Sequence, residues 1–237
     1  MSLENIGQEN GWILFLVITT MLSVALLLKA EYDNNQSRKW LFKPLAATGF
    51  VALGFLCTNV HSFYGTWIII GLILSWLGDV LLIPKNKFAF FLGIFAFLFA
   101  HVVYSYAFFY RKPNVLASLL CFVALLSLGY HIVSGLWSQI DKNLKIPVMA
   151  YLVAICLMVS LGIGTSVSSR NVLIGVGTVG FLLSDISVAR NRFANAGFGN
   201  KLWGSPLYFG SQICLALSIK FHPTTQEIAS AFSQLIP

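Results

Sequence analysis

The sequence predicts an all-α, polytopic membrane bundle of eight transmembrane helices, and three observations predict it. Of 237 residues, 57% are apolar and only 10% charged. Mean hydropathy is +0.81, far outside the ordinary soluble range. The apolar residues also fall into runs close to the roughly 20 residues that cross a bilayer. Such runs leave only short connections, so residues 1–237 are expected to form a single integral-membrane domain. Any function lies within the bilayer or at its edge.

The runs cover residues 11–30, 41–58, 66–83, 88–110, 114–137, 146–165, 171–189 and 202–221. The first follows MSLENIGQEN, which holds two Glu and no Lys or Arg, so it lacks the basic flank of a cleaved signal peptide and is expected to stay as an anchor. The second opens on Lys43-Pro44, a proline suited to a first helical turn. The third ends before Lys85 and Lys87, and the fourth runs from there to Arg111-Lys112. The fifth ends before Lys142, the sixth opens on Lys145-Ile146-Pro147, the seventh lies between Arg170 and Arg190, and the eighth between Lys201 and Lys220.

Basic residues set the orientation. The connections after helices 1, 3, 5 and 7 carry Lys29, Arg38, Lys39, Lys43, Lys85, Lys87, Lys142, Lys145, Arg190, Arg192 and Lys201, against Arg111, Lys112, Arg170 and Lys220 on the other side. The positive-inside rule makes the first side cytoplasmic and both termini non-cytoplasmic, in the inner or plasma membrane if the source is bacterial. The net charge of +7 is thereby a matter of topology, and no nucleic-acid partner is implied. Cys57, Cys121, Cys156 and Cys214 all lie in apolar runs without a CxxC pair, so neither a disulfide nor a thiolate metal site is expected.

A weak internal repeat relates the halves. After Asp79 the chain reaches Lys85-Asn86-Lys87-Phe88, and after Asp185 it reaches Arg190-Asn191-Arg192-Phe193. Gly71 and Gly177 align, as do Lys43-Pro44 and the Lys145-Ile146-Pro147 opening. Two parallel four-helix repeats are consistent with this.

Glu4, Glu9, Glu31, Asp33, Asp141 and Glu227 fall in tails or loops, and only Asp79 and Asp185 lie within spans. A carboxyl at membrane depth costs a few kcal/mol, so it faces the bundle interior and marks a functional site. Each stands five or six residues before the basic end of its helix, about 8 Å in from the cytoplasmic side. Lys43, Tyr151 and Tyr208 enter from the same side, which predicts one polar cluster where Lys43 meets a phospholipid phosphate or, alternatively, ion-pairs with a carboxyl or snorkels. His101 and Tyr104 share a face of helix 4, and Tyr208 and Gln212 share one on helix 8. These side chains, with Tyr151, are expected to converge on a cavity between the two Asp residues. His61, His131 and His222 have no metal-ligand spacing, and neither HExxH nor GxSxG occurs. No metal and no cofactor is expected.

These features, taken in order, carry a resemblance: Lys43-Pro44-Leu45; LSWLGDVLL around Asp79; Phe97 with His101 and Tyr104; Tyr151 with Met158; Ser184-Asp185 followed by Asn191-Arg192-Phe193; and Tyr208 with Gln212. At these positions the sequence resembles the YhhN family of membrane lysoplasmalogenases, over residues 43–212. Gly180 departs from it, being less bulky than the apolar lead-in expected before the SD pair. The resemblance implies hydrolysis of the vinyl ether bond of lysoplasmalogens to a fatty aldehyde and glycerophosphoethanolamine or glycerophosphocholine. It implies a lysophospholipid substrate in a lipid membrane and no obligate protein partner. Asp79 and Asp185 would be catalytic, and Lys43, His101, Tyr104, Tyr151, Asn191, Tyr208 and Gln212 would bind substrate.

The chemistry suits two carboxyls. Protonation of the vinyl carbon gives an oxocarbenium ion, water adds, and the hemiacetal collapses. That needs one neutral carboxylic acid and one carboxylate, the division of labour found in glycosidases. Two rival readings are a proton-coupled lipid or small-solute transporter relaying protons through the same Asp pair, and a seven-helix zinc lipid hydrolase.

Overall fold

The computed structural model describes residues 3–58, 62–84 and 86–220, with side chains described from residue 7 onward. The sequence expectations for His61, Lys85, His222 and Glu227, and for the Glu4 side chain, lie outside the described residues. Eight helices follow one another: α1 Leu3–Tyr32, α2 Gln36–Cys57, α3 Phe63–Leu81, α4 Lys87–Tyr110, α5 Val115–Leu136, α6 Lys142–Ser169, α7 Val172–Phe193 and α8 Phe198–Ser218. Seven are long and apolar enough to cross a membrane. The protein is a multi-pass, all-α membrane protein. α8, the eighth, buries Ser211, Gln212 and Ser218 on its inner side.

Local chemistry fixes the ends. Asn35, Ser62, Asn86, Asn114 and Asn171 each accept a hydrogen bond from a backbone N–H in the first turn of the helix that follows. The Asn35 cap corrects one expectation. It starts α2 at Gln36, so Lys43-Pro44 lies inside the helix and not at its opening. Pro147 and Pro206 are likewise internal, and α6 starts at Lys142 instead of residue 146. Tyr151 and Tyr208 therefore stand about a turn deeper than the first two turns. The two Asp residues also differ in their distance from the helix end. α3 stops at Leu81, two residues after Asp79, whereas α7 runs eight residues past Asp185 to Phe193.

The helices pack as hairpins: α1 on α2, α3 on α4, α5 on α6 and α7 on α8. Between halves the pairing is reciprocal, because α4 packs on α6 while α8 packs on α2. The fourth helix of each half thus lies against the second helix of the other. Equivalent small residues receive equivalent neighbours. A Cβ at Gly71 would strike Tyr104, and one at Gly177 would strike Leu215. Gly180 is explained by the same close approach, since a Cβ there would meet Ser211 Oγ on α8. Without a hydrophobic driving force between helices in lipid, such close approach at small residues is what holds them together.

The likeness of the halves breaks at the first helix of each. α1 packs along both α2 and α8, whereas α5 packs along α6 and has no comparable packing against α4. Among the described residues, α5 buries only Gly129. A cavity of about 630 Å³ is lined by residues of all eight helices, and α4 and α5 both wall it without packing on one another.

Candidate active site

Both intramembrane carboxyls line this one cavity. Asp79 is carried by the last turn of α3, where Gly78 lets the Phe97 ring of α4 lie against the backbone. Its Oδ1 lies 3.3 Å from Lys43 Nζ on α2, and its Oδ2 accepts a 2.7 Å hydrogen bond from Tyr208 on α8. The carboxyl is buried, with 3% of its side chain exposed. Asp185, on α7, is more open at 18%. Its Oδ2 accepts a 2.7 Å hydrogen bond from Tyr151 on α6 and stands 3.6 Å from His101 Nε2 on α4. The latter distance exceeds hydrogen-bond length, and Nε2 completes no bond among the described residues.

Each Asp is therefore met by the second helix of its own half and the fourth helix of the other. The electrostatics differ at the two poles. Asp79 has an ammonium for a partner, whereas no Lys or Arg comes within ion-pair reach of Asp185 among the described residues. Phe181, fully buried one turn before Asp185, packs against a partner of each carboxyl. Its ring centroid lies 4.7 Å from that of His101 and 5.4 Å from that of Tyr208.

Not every polar residue expected at the cavity reaches it. Lys43, Tyr151, Asn191 and Tyr208 line it. His101, Tyr104 and Gln212 are completely buried and lie behind it. Tyr104 donates a 2.8 Å hydrogen bond to Gln212 Oε1, tying α4 to α8, and His101 backs Asp185. The physical reason is register. Tyr208 and Gln212 share a helical face, but the four-residue step carries Gln212 one turn deeper, into the closed part of the bundle. Asn191 faces the cavity while its Oδ1 accepts a hydrogen bond from Gly197 N, fixing the α7–α8 turn.

The sequence reading missed Glu31. It placed this residue in a loop, but α1 runs on to Tyr32, so Glu31 lies in the last turn and lines the cavity. Its Oε2 accepts from Lys39 Nζ at 2.8 Å and Lys201 Nζ at 2.6 Å. The available signal was an acid directly following a strongly apolar span. The remaining wall is apolar and comes largely from α4, α5 and α6, including Phe90, Ile94, Leu125, Ile132 and Leu152. Arg192 lies over the Phe90 ring at 4.1 Å. No group of three or more His, Cys, Asp or Glu able to hold a metal ion occurs among the described residues.

The YhhN family model matches residues 38–219, which include both Asp residues and all of their partners. Proteins named lysoplasmalogenase from Mycobacterium bovis and Mycobacterium tuberculosis are each 30% identical over 174 residues, covering 70% of this chain and 64% of theirs. No solved structure matches. With a match over most of its length, from the first turn of α2 through α8, this chain belongs to the YhhN family.

Proposed function

We propose that the protein is a lysoplasmalogenase that hydrolyses the vinyl ether bond of membrane lysoplasmalogens, using Asp185 as general acid and Asp79 as carboxylate. The observation that carries this reading is that two carboxyls, from pseudo-equivalent helices, line one largely apolar cavity. The names of the mycobacterial relatives support the substrate class.

The roles follow from the partners. Lys43 supplies the positive charge that an Asp79 carboxylate needs at membrane depth. Asp185 has a phenol and an imidazole beside it, no cation, and more of its surface open to the cavity. Asp185 gives its proton to the outer vinyl carbon, and the electron pair of the double bond forms the new C–H bond. The positive charge then resides on the ether oxygen and inner carbon, opposite the Asp79 carboxylate. Water adds to the inner carbon and returns a proton to Asp185. The resulting hemiacetal passes its hydroxyl proton to the ether oxygen, the C–O bond breaks, and aldehyde and glycerol hydroxyl separate. Tyr151 and Tyr208 hold the two carboxyls in register, and His101 sets Asp185 from behind.

The apolar wall between α4 and α5 takes the hydrocarbon chain, which reaches it sideways from the bilayer where those helices do not pack together. The positive-inside rule supports a cytoplasmic basic face, with the head-group end of the cavity there and both termini on the other side.

The deciding experiment offers purified protein in detergent a lysoplasmenyl lipid and its saturated alkyl ether analogue, and measures aldehyde. Aldehyde from the first alone, undiminished by exhaustive chelation, is expected. A transporter releases none from either lipid. Activity lost to chelator and restored by zinc would overturn the two-carboxylate mechanism.

A further inference from the structure

Beside the main cavity lies a side chamber of about 110 Å³ lined by Glu31, Gln36, Lys39, Lys43, Leu82, Ile83 and Lys201. Glu31, Lys43, Leu82 and Lys201 line both spaces, so the two are neighbours on the basic face of the bundle. Three ammoniums face this chamber against the Glu31 carboxylate, and Asp79 beyond it balances only Lys43. One positive charge is left over. Lys39 is 95% buried in spite of its charge, being 5% exposed.

Two acceptors also stand open. Gln36 Nε2 donates to Ile83 O at 2.9 Å, which fixes the amide's orientation, and its Oε1 is buried with no partner among the described residues. Both lysines bind Glu31 through Oε2, leaving Oε1 unengaged among the described residues. An excess cation beside two unfilled acceptors matches a zwitterion carrying an anionic phosphodiester and an ammonium with N–H donors. A buried acceptor left without a donor is costly, a cost that a primary ammonium relieves and a quaternary one, having no N–H, does not.

We propose that Glu31, Gln36, Lys39 and Lys201 form a head-group subsite selective for phosphoethanolamine: the phosphodiester takes Lys201 and Lys39, and the primary ammonium takes Glu31 Oε1 and Gln36 Oε1. This rests on the lysophospholipid reading above. It leaves Lys43 to Asp79. Glu31 lies outside the residues matched by the family model, so the subsite is built partly from this chain's own first helix.

The test measures binding to the full-length protein in detergent, using saturated 1-alkyl lysophospholipids that carry phosphoethanolamine, phosphocholine or a bare phosphate. These contain no vinyl ether, so Kd is read whether or not the protein cleaves one. The wild type is expected to bind the phosphoethanolamine lipid about tenfold more tightly than the phosphocholine lipid, equivalent to about 1.4 kcal/mol. Glu31→Gln should erase that preference while leaving the bare-phosphate lipid bound as well or better. Lys201→Met should weaken all three lipids about tenfold, and Lys201→Arg should restore them.

If Glu31→Gln does not fold, Gln36→Leu makes the same test of the ammonium contact. Equal Kd values for the two head groups in the wild type, or the same fold-loss for every lipid in both variants, would overturn the subsite and reduce the triad to a clasp between helices. Water-soluble O-phosphoethanolamine should compete only weakly. Binding as tight as the lipid's would make the ligand a soluble phosphoester and overturn the head-group assignment. A wild type that binds selectively yet releases no aldehyde from lysoplasmenyl lipid would sink the hydrolase reading alone.

Discussion

The two halves of the bundle share a plan and differ in what they put beside their carboxyl and in how they close. In each, a third helix carries an Asp that is met by the second helix of its own half and the fourth helix of the other. In the first half those partners are Lys43 and Tyr208, and α1 seals against α8. In the second they are Tyr151 and His101, and α5 stands away from α4. Near-symmetry thus brings two like acids to one cavity, and the departures from symmetry make them unlike. A relation between repeats supplies the pair, and Lys43 stands beside Asp79 alone.

Breaking the pair has the largest expected effect. Asp185→Asn removes the proposed proton donor and should lower kcat by about 10³, within the range for general acid catalysis, whereas Asp79→Asn should cost about 10² by removing the proposed charge stabilisation. Each variant keeps its phenol within reach of an amide oxygen. A larger loss at Asp79 than at Asp185 would reverse the assignment, and near-normal turnover in both would end it. Activity of the wild type should fall at both pH extremes, because the proposed reaction requires one carboxyl protonated and the other ionised, and the limbs belong to the pair as a unit.

Lys43→Met sharpens the same contrast. With the ammonium gone, Asp79 loses its counter-charge, and kcat should fall about tenfold with KM little changed and with a displaced pH profile. Lys43→Arg should recover most of the rate. A rise in KM alone would return Lys43 to the phosphate contact that its position near the membrane face first suggested.

How far this contrast was legible in the sequence differs by residue. The eight helices, seven of them long and apolar enough to cross a membrane, were legible because hydropathy is additive along the chain, and the two carboxyls because charge inside an apolar run is conspicuous. Which of them pairs with Lys43 was not legible. That depends on α2 being capped by Asn35 and carrying Pro44 in its interior, which moves Lys43 from a helix end to the level of Asp79. Glu31 was missed for a similar reason, since a helix that runs past its apolar stretch turns an apparent loop residue into a cavity wall. The depth of Gln212 depends on packing across three helices and leaves no local trace. Gly180, a local anomaly in the sequence, became intelligible only with Ser211 opposite it.

Smaller effects are expected of the phenols. Tyr151→Phe and Tyr208→Phe each delete one 2.7 Å hydrogen bond to a carboxyl. At about 1–1.5 kcal/mol per bond, each should slow turnover about five- to tenfold. Tyr151→Phe should act on the acid and shift one limb of the pH profile, whereas Tyr208→Phe should shift the other. Identical profiles for the two variants would show that the poles are chemically equivalent after all.

The smallest expected effect concerns the other departure from symmetry, the open side between α4 and α5. Ile132 lines the cavity there on a helix that buries little else than Gly129, so a larger side chain is tolerated without disturbing the bundle. Ile132→Trp should shorten the space for the hydrocarbon chain. Each methylene kept out of its apolar contact forfeits about 0.8 kcal/mol, about fourfold in affinity. KM should therefore rise about fourfold for long-chain substrates, stay level for shorter ones, and leave kcat near the wild-type value, because neither carboxyl is touched. A matching substitution at Leu26, exposed on the outer side of α1, should do nothing, since that half is closed. If chain-length preference moved with Leu26→Trp and not with Ile132→Trp, the chain would enter along α1, and the gap beside α5 would have no part in admitting substrate.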